Sequence, residues 1–372
     1  MSAIAEDLQQ IKAGQATDAG GIAAGLSRIA KETGRNPIAV GLDFWRLSRG
    51  KGKLRFYEYL MYGLYDPSRW AEGEREDFIS AHVHWPTVNP CNDRNWWAVT
   101  EDKWLSAAVL DRCGVPVPKT LAVFDRSGRA FPDVRHLSGA DDLRTFLTGD
   151  LRFPLFAKNL NGMWSAGAFR ILGVTETHAQ IDGKGPVTFE DLAETMMGKA
   201  SYIFQECLTP HAFFDGITDA TATVRCLNLM GPDGLSVPFA VLKLPVGGNI
   251  ADNFWRSGNV LCALDPQSGE IKGIVEKREG QLHRPKVLPV SGHDIIGTRL
   301  PDWDRLREVN ETVAQIHARN RFGSTDIALT KDGPVVVEVN NGCAFELIQI
   351  ATGQGFLTPQ VRAFFADCGV TV

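Results

Sequence analysis

The sequence predicts an α+β protein, with a mainly helical N-terminal region followed by antiparallel strands and a few covering helices. Three observations carry this. Over residues 3–12, 22–33 and 54–65 apolar residues recur at three- and four-residue spacing with glycines between the segments, which is the period of amphipathic helices. Beyond residue 118 the pattern changes to short β-rich runs at 154–158, 202–205, 222–230 and 237–244. Turn signals stand between many of them, at Asp125-Arg126-Ser127-Gly128, Asp182-Gly183, Asp233-Gly234 and Asp332-Gly333.

The remaining elements follow from local chemistry. Residues 1–98 hold no strand-helix-strand nucleotide unit, and residues 84–97 form a loop rich in Pro, Asn and Trp. Thr100 is expected to cap a helix whose first turn carries Glu101 and Asp102, two charges that suit a positive helix N-terminus. That helix ends at Cys113-Gly114, because Val115-Pro116-Val117-Pro118 forces the chain into an extended form and into a strand over 119–124. A helix over 303–320 leads to the last strand pair, which the Lys331-Asp332-Gly333 turn joins as a hairpin.

Composition narrows the partners. At 372 residues, 44% hydrophobic and 22% charged, the chain has room for two or three ordinary globular domains. The net charge is -5 and no segment concentrates Lys and Arg as a nucleic-acid footprint does, so a small-molecule partner is expected and no nucleic acid. The basic run over 46–55 is interleaved with Gly50 and Gly52 and reads as a solvated loop. No basic and apolar leader opens the chain and no run of about 18 apolar residues occurs, so no membrane partner and a cytoplasmic location are expected. Seven cysteines, at 91, 113, 207, 226, 262, 343 and 368, form no CxxC pair and read as reduced, mostly buried thiols.

The final hairpin is the first chemical feature. Asp326 is placed before one strand, and Glu338 and Asn340, two residues apart on the next, share a face. Two carboxylates and an amide oxygen suit Mg²⁺, which completes its shell with waters and phosphate oxygens. Taken alone, the same hairpin reads equally as a turn with polar ends.

Lys158 closes an apolar run and is followed by the small-residue loop from Asn159 to Gly167, whose amides can fold over phosphates. The loop lacks the Gly-Lys-Ser/Thr ending of a Walker A motif. Residues 202–208 read as an edge strand entering a connector whose polar groups can meet an adenine edge. No Ser/His/Asp or Cys/His set is evident, and Ser165 lacks a nucleophile-elbow pattern. His82 and His84, on one face of a strand, have no third ligand nearby and read as a packed or exposed pair. Trp85, Trp96, Trp97 and Trp104 read as packing anchors of the helical region.

Taken in order, Asp102-Lys103 on a helix, Gly114-Val-Pro-Val-Pro118, Phe153-Pro-Leu-Phe-Ala-Lys158 with its glycine loop, Phe204-Gln-Glu206, Thr223-Val-Arg225 and residues 326–340 resemble the ATP-grasp superfamily. Within it, Leu47-Ser-Arg-Gly-Lys-Gly-Lys-Leu54, Asp252-Asn253-Phe254 and Ser324-Thr-Asp-Ile-Ala-Leu-Thr330 look most like the sugar-transfer-associated group, over roughly residues 45–360.

The resemblance implies an ATP-grasp fold, two α+β subdomains clasping ATP between antiparallel sheets. Its expected division is a helical region over 1–98, a small subdomain over 99–205 and a large one over 206–372. It implies that Lys103 and Lys158 contact ATP phosphates under a loop including Gly162, Ser165 and Gly167, and that Gln205, Glu206 and Leu208 line the adenine pocket. His211 or Asp215 would stand near the ribose. Asp326, Glu338 and Asn340 would hold Mg²⁺. Arg225 would neutralise an acyl-phosphate or orient a carboxylate. Acceptor positioning would fall to the segment with Asn253 and Arg256. That segment departs from related sequences, which more often carry His and two glycines where Trp255, Ser257 and Gly258 stand.

The function implied is an ATP-dependent carboxylate-amine ligase working through an acyl-phosphate on an amino acid or small peptide, with a homodimer as the natural assembly. The alternatives are a kinase acting on a hydroxyl or carboxylate, and a nucleotide-binding module without catalysis.

Overall fold

Capping chemistry sets the ends of the N-terminal helices. The structure is a computed structural model and describes residues 2–15 and 21–372. Helices α1 (Ala3–Gln15) and α2 (Gly21–Thr33) are followed by α3 (Pro37–Arg49), where Asn36 accepts from the Ile38 amide and Pro37 pre-sets the first turn. Arg46 to Arg49, expected in a solvated loop, form the last turn of α3. Val40, Phe44 and Leu47 continue an apolar face into the core, and the chain leaves the helix only at Gly50. Helix α4 (Phe56–Met61) occupies the middle of the expected 54–65 helix, and α5 (His84–Val88) lies among short 3-10 turns in the Trp-rich loop.

Residue 100 is not the cap that the sequence pattern predicts. A short helix α6 (Trp97–Glu101) comes first, Asp102 breaks the backbone into an extended conformation, and its carboxylate accepts from the Leu105 amide to start α7 (Lys103–Arg112). Asp reaches the first-turn amides better than the Thr100 hydroxyl, which donates instead to the Trp97 carbonyl.

Next come β1 (Thr120–Phe124), β2 (Arg135–Leu137), α8 (Ala140–Leu147), β3 (Leu155–Asn159), β4 (Phe169–Val174), β5 (His178–Ile181), β6 (Gly185–Thr188), the short α9 (Phe189–Asp191) and β7 (Tyr202–Glu206). They make a seven-stranded sheet in the order β2-β1-β7-β3-β4-β5-β6. Strand β7 is therefore interior rather than an edge, hydrogen-bonded to β1 and β3 on its two sides. Its buried Tyr202, Ile203 and Phe204 reflect that.

The second sheet takes β8 (Thr223–Gly231), β9 (Gly234–Ser236), β10 (Ala240–Leu244), β11 (Val260–Leu264), β12 (Ile271–Arg278) and β13 (Gln281–His283). Helix α10 (Trp303–Ile316) precedes its last pair, β14 (Phe322–Thr330) and β15 (Gly333–Asn340). The order is β13-β12-β11-β10-β8-β14-β15, with β9 on β8. Helices α11 (Phe345–Thr352) and α12 (Pro359–Asp367) end the chain.

Strand alternation gives this large sheet two faces. Val224, Cys226, Leu242 and Ile327 pack with Leu306 and Val313 of α10. The other face divides along its length. At one end Leu227, Leu229, Val241 and Phe322 join Tyr59 and Phe78 of the helical region and Phe345 and Phe365 of α11 and α12 in one core. At the other end the same face carries Thr223, Arg225, Lys243 and Asp326.

Helix α1 touches both halves of the molecule. Ala3 enters the core of the small sheet, while Ile11 enters the core shared by the helical region and the large sheet. All seven cysteines are free thiols. Among the described residues no helix is long and apolar enough to cross a membrane.

Candidate active site

Register places the polar end of the large sheet. Arg225, Asp326 and Glu338 stand directly opposite one another across β8, β14 and β15, so their side chains share one face. Thr223 and Lys243 form a neighbouring row across β8 and β10. Asp326 thus lies in the middle of β14 rather than before it, because pairing with both β8 and β15 carries the strand through Thr330.

The buried charges neutralise one another. Arg225 donates from Nε and a terminal nitrogen to the two Asp326 oxygens at 2.8 and 2.6 Å, and Lys243 Nζ lies 2.9 Å from Asp326 and 2.9 Å from Asp252. Thr223 donates its hydroxyl to Asp252. Burial pushes the Asp326 carboxyl up, but Arg225 and Lys243 more than reverse that and hold it well below the usual carboxylate range. Burial likewise opposes ionisation of Glu338, and Lys103, 3.0 Å away, leads the charges that bring it below its ordinary value.

Lys103 is the first residue of α7 and also donates to the Gly162 carbonyl at 2.6 Å. Lys158 Nζ donates to the Val337 carbonyl at 3.0 Å, and burial lowers its ammonium to about 8 against the attraction of Glu338. The lysines at 103, 158 and 243 line one cavity of about 140 Å³ with Gly162, Ser165, Gln205, Glu206, Leu208, Asp252, Asp326 and Glu338. Larger cavities of about 720 and 570 Å³ lie away from this chemistry, beside α10 and beneath α2 and α4.

The loop between β3 and β4 covers the cavity. Trp164, Ser165 and Gly167 all have left-handed backbones, with φ of 61, 55 and 76°, a conformation that costs non-glycine residues energy and must be held by its surroundings. Three side chains hold it from outside. Asn253 donates to the Trp164 carbonyl at 2.7 Å, Arg256 to the Ser165 carbonyl at 3.3 Å, and the Gly167 amide donates to Asp7 of α1 at 2.7 Å. Asp7 also pairs with Arg256 at 2.9 Å. At Gly167 the loop leaves no room for a side chain, since a Cβ there would meet Ile4 at 2.5 Å and the Tyr202 hydroxyl at 2.6 Å.

Of the residues singled out from sequence, Lys103, Lys158, Gly162, Ser165, Gln205, Glu206, Leu208, Asp326 and Glu338 line the cavity. The others lie elsewhere. Arg225 is committed to Asp326 beside it, while Asn253, Arg256 and Gly167 sit on the outer side of the loop network. His211 caps the 3-10 turn that follows it, its Nδ1 accepting from the Phe213 amide. Asn340 shares the face of Glu338 one rung further along, opposite Ser324, and its buried amide nitrogen has no partner. Gln205 and Glu206 are partly engaged, Gln205 with the Pro118 carbonyl and Glu206 with the Lys119 amide. His82 and His84 do not share a strand. His82 lies in a 3-10 turn, and His84 opens α5 with its Nε2 3.0 Å from the Cys343 carbonyl.

Sequence reasoning missed Lys243 and Asp7, and gave Asp252 no role of its own beyond its place in the Asp252-Asn253-Phe254 motif. Lys243 carried a usable signal, since it is a lone charge in a strand whose other four residues are all apolar. Asp7 had none, because its partners are about 160 and 250 residues away.

Asp326 and Glu338, opposed across β14 and β15 in the wall of a lysine-lined cavity, fit Mg²⁺, which is held by one or two carboxylates with waters and phosphate oxygens. Among the described residues there is no cluster of three or more His, Cys, Asp or Glu side chains of the kind that cages a metal without substrate.

The family model for sugar-transfer associated ATP-grasp proteins matches residues 87–364, well over half of the chain. The chain belongs to the sugar-transfer associated ATP-grasp family. No curated protein sequence matches it. Similar solved structures include the VanG D-Ala:D-Ser ligase from Enterococcus faecalis, at 16% identity and a TM-score of 0.40, covering 73% of this chain and 62% of that one. The L-amino acid ligase from Bacillus licheniformis gives 14% and 0.38, covering 73% and 48%. A phosphoribosylamine-glycine ligase from Thermotoga maritima gives 11% and 0.40, covering 75% and 57%. This ATP-grasp chain therefore spans less than two thirds of each, and its two sheets with their helices form the α+β fold of that family.

Proposed function

We propose that this ATP-grasp protein is an ATP-dependent carboxylate-amine ligase that forms an amide through an acyl-phosphate and releases ADP and phosphate. The observation that carries the reading is the gathering of Lys103, Lys158, Lys243, Asp326 and Glu338 around one cavity under a strained loop. Phosphoryl transfer needs little covalent help from protein. It needs positive charge, alignment and exclusion of water.

In this reading Lys103 and Lys158 bind the triphosphate, the loop with Gly162, Ser165 and Gly167 covers it, and Gln205, Glu206 and Leu208 meet the base. Asp326 and Glu338, with Asn340 beside them, would hold Mg²⁺, which when bound offsets charge on the β- and γ-phosphates. A carboxylate oxygen of the substrate attacks the γ-phosphorus and the bond to the ADP oxygen breaks. An amine nitrogen then attacks the acyl carbon, phosphate leaves, and the amine gives up a proton. Arg225 and Lys243 steady the charged intermediate, and Asn253 and Arg256 fix the loop that keeps water from it. The working division is residues 1–98, 99–205 and 206–372, with an amino acid or small peptide as substrate.

The cavity is smaller than the roughly 300–1,000 Å³ of ligand-sized pockets, so nucleotide entry requires the loop to lift or the ion pairs to open. An ADP-release screen of amino acids singly and in pairs, with Mg²⁺, tests the proposal. ADP release that depends on a carboxylate and an amine together, with a product of the condensed mass, supports it. A stable phosphoproduct formed without amine would sink it in favour of a kinase.

A further inference from the structure

Helix α3 is apolar on both sides. Its inner face places Val40, Phe44 and Leu47 in the core, with Phe44 packed on Phe56 and Tyr59 at ring distances of 5.1 and 5.5 Å. Its outer face carries Ile38, Leu42 and Trp45 at helical spacing, 73%, 63% and 59% exposed. A helix apolar all round ordinarily has something on every side of it. Here the outer stripe meets solvent.

The stripe runs into positive charge. Arg49, one turn beyond Trp45, holds its guanidinium 5.8 Å from the Trp45 ring centre. Lys51, Lys53 and Arg55 follow, all exposed. From 35 to 55 there are six arginines and lysines and a single acid, Asp43, which Arg75 and Tyr59 already engage. Arg46 pairs with Glu76, but Lys51 and Lys53 reach only main-chain carbonyls. This segment is strongly positive in a chain whose net charge is -5.

We propose that α3 docks on an anionic lipid surface, with Ile38, Leu42 and Trp45 entering the boundary between headgroups and acyl chains and the basic end lying against the headgroups. Three features favour lipid over protein. The stripe is three side chains, too few to supply the roughly 800 Å² per partner of a standard interface. Lysine is depleted in protein interfaces, whereas it flanks interfacial membrane helices. Tryptophan suits the headgroup level, where an apolar ring and a polar N–H are both accommodated. That no helix among the described residues is long and apolar enough to span a membrane does not bear on this, since an interfacial helix lies in the surface plane. The proposal revises the expectation of no membrane partner and is independent of the nucleotide chemistry.

The test is sedimentation of the full chain with phosphatidylcholine vesicles, with and without phosphatidylserine. Binding to the anionic vesicles at least about tenfold tighter than to the neutral ones, weakening from ~0.1 to ~0.5 M salt, is expected. Leu42→Glu and Trp45→Ala should each reduce it severalfold without moving the thermal unfolding midpoint. Because both side chains are exposed, these variants should fold, and the lipid dependence of the unaltered chain decides the matter even if one does not. Binding indifferent to phosphatidylserine, binding unchanged in Leu42→Glu, or a solution dimer that Leu42→Glu dissociates with no vesicle binding would each overturn the proposal.

Discussion

Arg225 and Asp326 face each other across β8 and β14, and the guanidinium grips both carboxylate oxygens, at 2.8 and 2.6 Å. Asp326 is buried and Arg225 is largely so, and removing the arginine leaves the buried carboxylate poorly compensated, at a cost of order 3 kcal/mol. Lys243 still reaches Asp326 and moderates that cost. Arg225→Met should therefore destabilise by about 2–3 kcal/mol. Combining it with Asp326→Asn should cost clearly less than the two single changes added together. Urea unfolding of the four proteins measures this, and simple additivity would show that the pair does not act as a unit.

Asp7 accepts from the Gly167 amide in the loop between β3 and β4 and pairs with Arg256, which itself donates to the Ser165 carbonyl of that loop. These contacts help hold the loop over the cavity, so loosening them should ease the entry of a nucleotide. Asp7→Asn removes the charge and keeps the shape, so KM for ATP should fall roughly three- to tenfold, equivalent to about 1 kcal/mol, with kcat little changed. A raised KM would show that Asp7 holds the loop in its productive position instead.

Lys158 titrates at about 8 because its surroundings oppose the charge. Below that pH the ammonium is available to phosphates, and above it the charge is lost. The pH profile of kcat/KM for ATP should break downward near pH 8, and Lys158→Arg, charged throughout, should lack the break. A Lys158→Arg profile identical to that of the unaltered enzyme would assign the break to another group.

Glu346, at the start of α11, is raised to about 7, first by burial and then by the Glu58 carboxylate. On unfolding it returns to near 4.5, so the native state binds the proton more strongly. The stability this contributes is complete below pH 4.5 and is lost as pH rises through 7. Glu346→Gln should thus be nearly neutral at pH 5 and stabilising by on the order of 2 kcal/mol at pH 8, measured by urea unfolding.

What was legible in the sequence was local. The Asp332-Gly333 turn and the even spacing of 338 and 340 announced the final hairpin, and Val115 to Pro118 marked where the helix gives way to strand. What escaped depended on distant partners. Tyr202 to Gln205 looks like an edge because interior position comes from β1, about 80 residues earlier in the chain. Asp326 appears to precede a strand because a buried acid there makes sense only with Arg225 and Lys243 opposite. Thr100 and Asp102 are both good caps, and three-dimensional packing chose between them. Helix α3 hid behind Gly50 and Gly52, which mark its end rather than a long loop.

The central claim is that a substrate carboxylate is activated by phosphoryl transfer, and oxygen labelling tests it most directly. With a productive carboxylate and amine, ATP and Mg²⁺, and ¹⁸O in the carboxylate, the account predicts that one labelled oxygen per turnover appears in the released phosphate. Phosphate free of label, with amide formed or with a stable phosphorylated product, would contradict it.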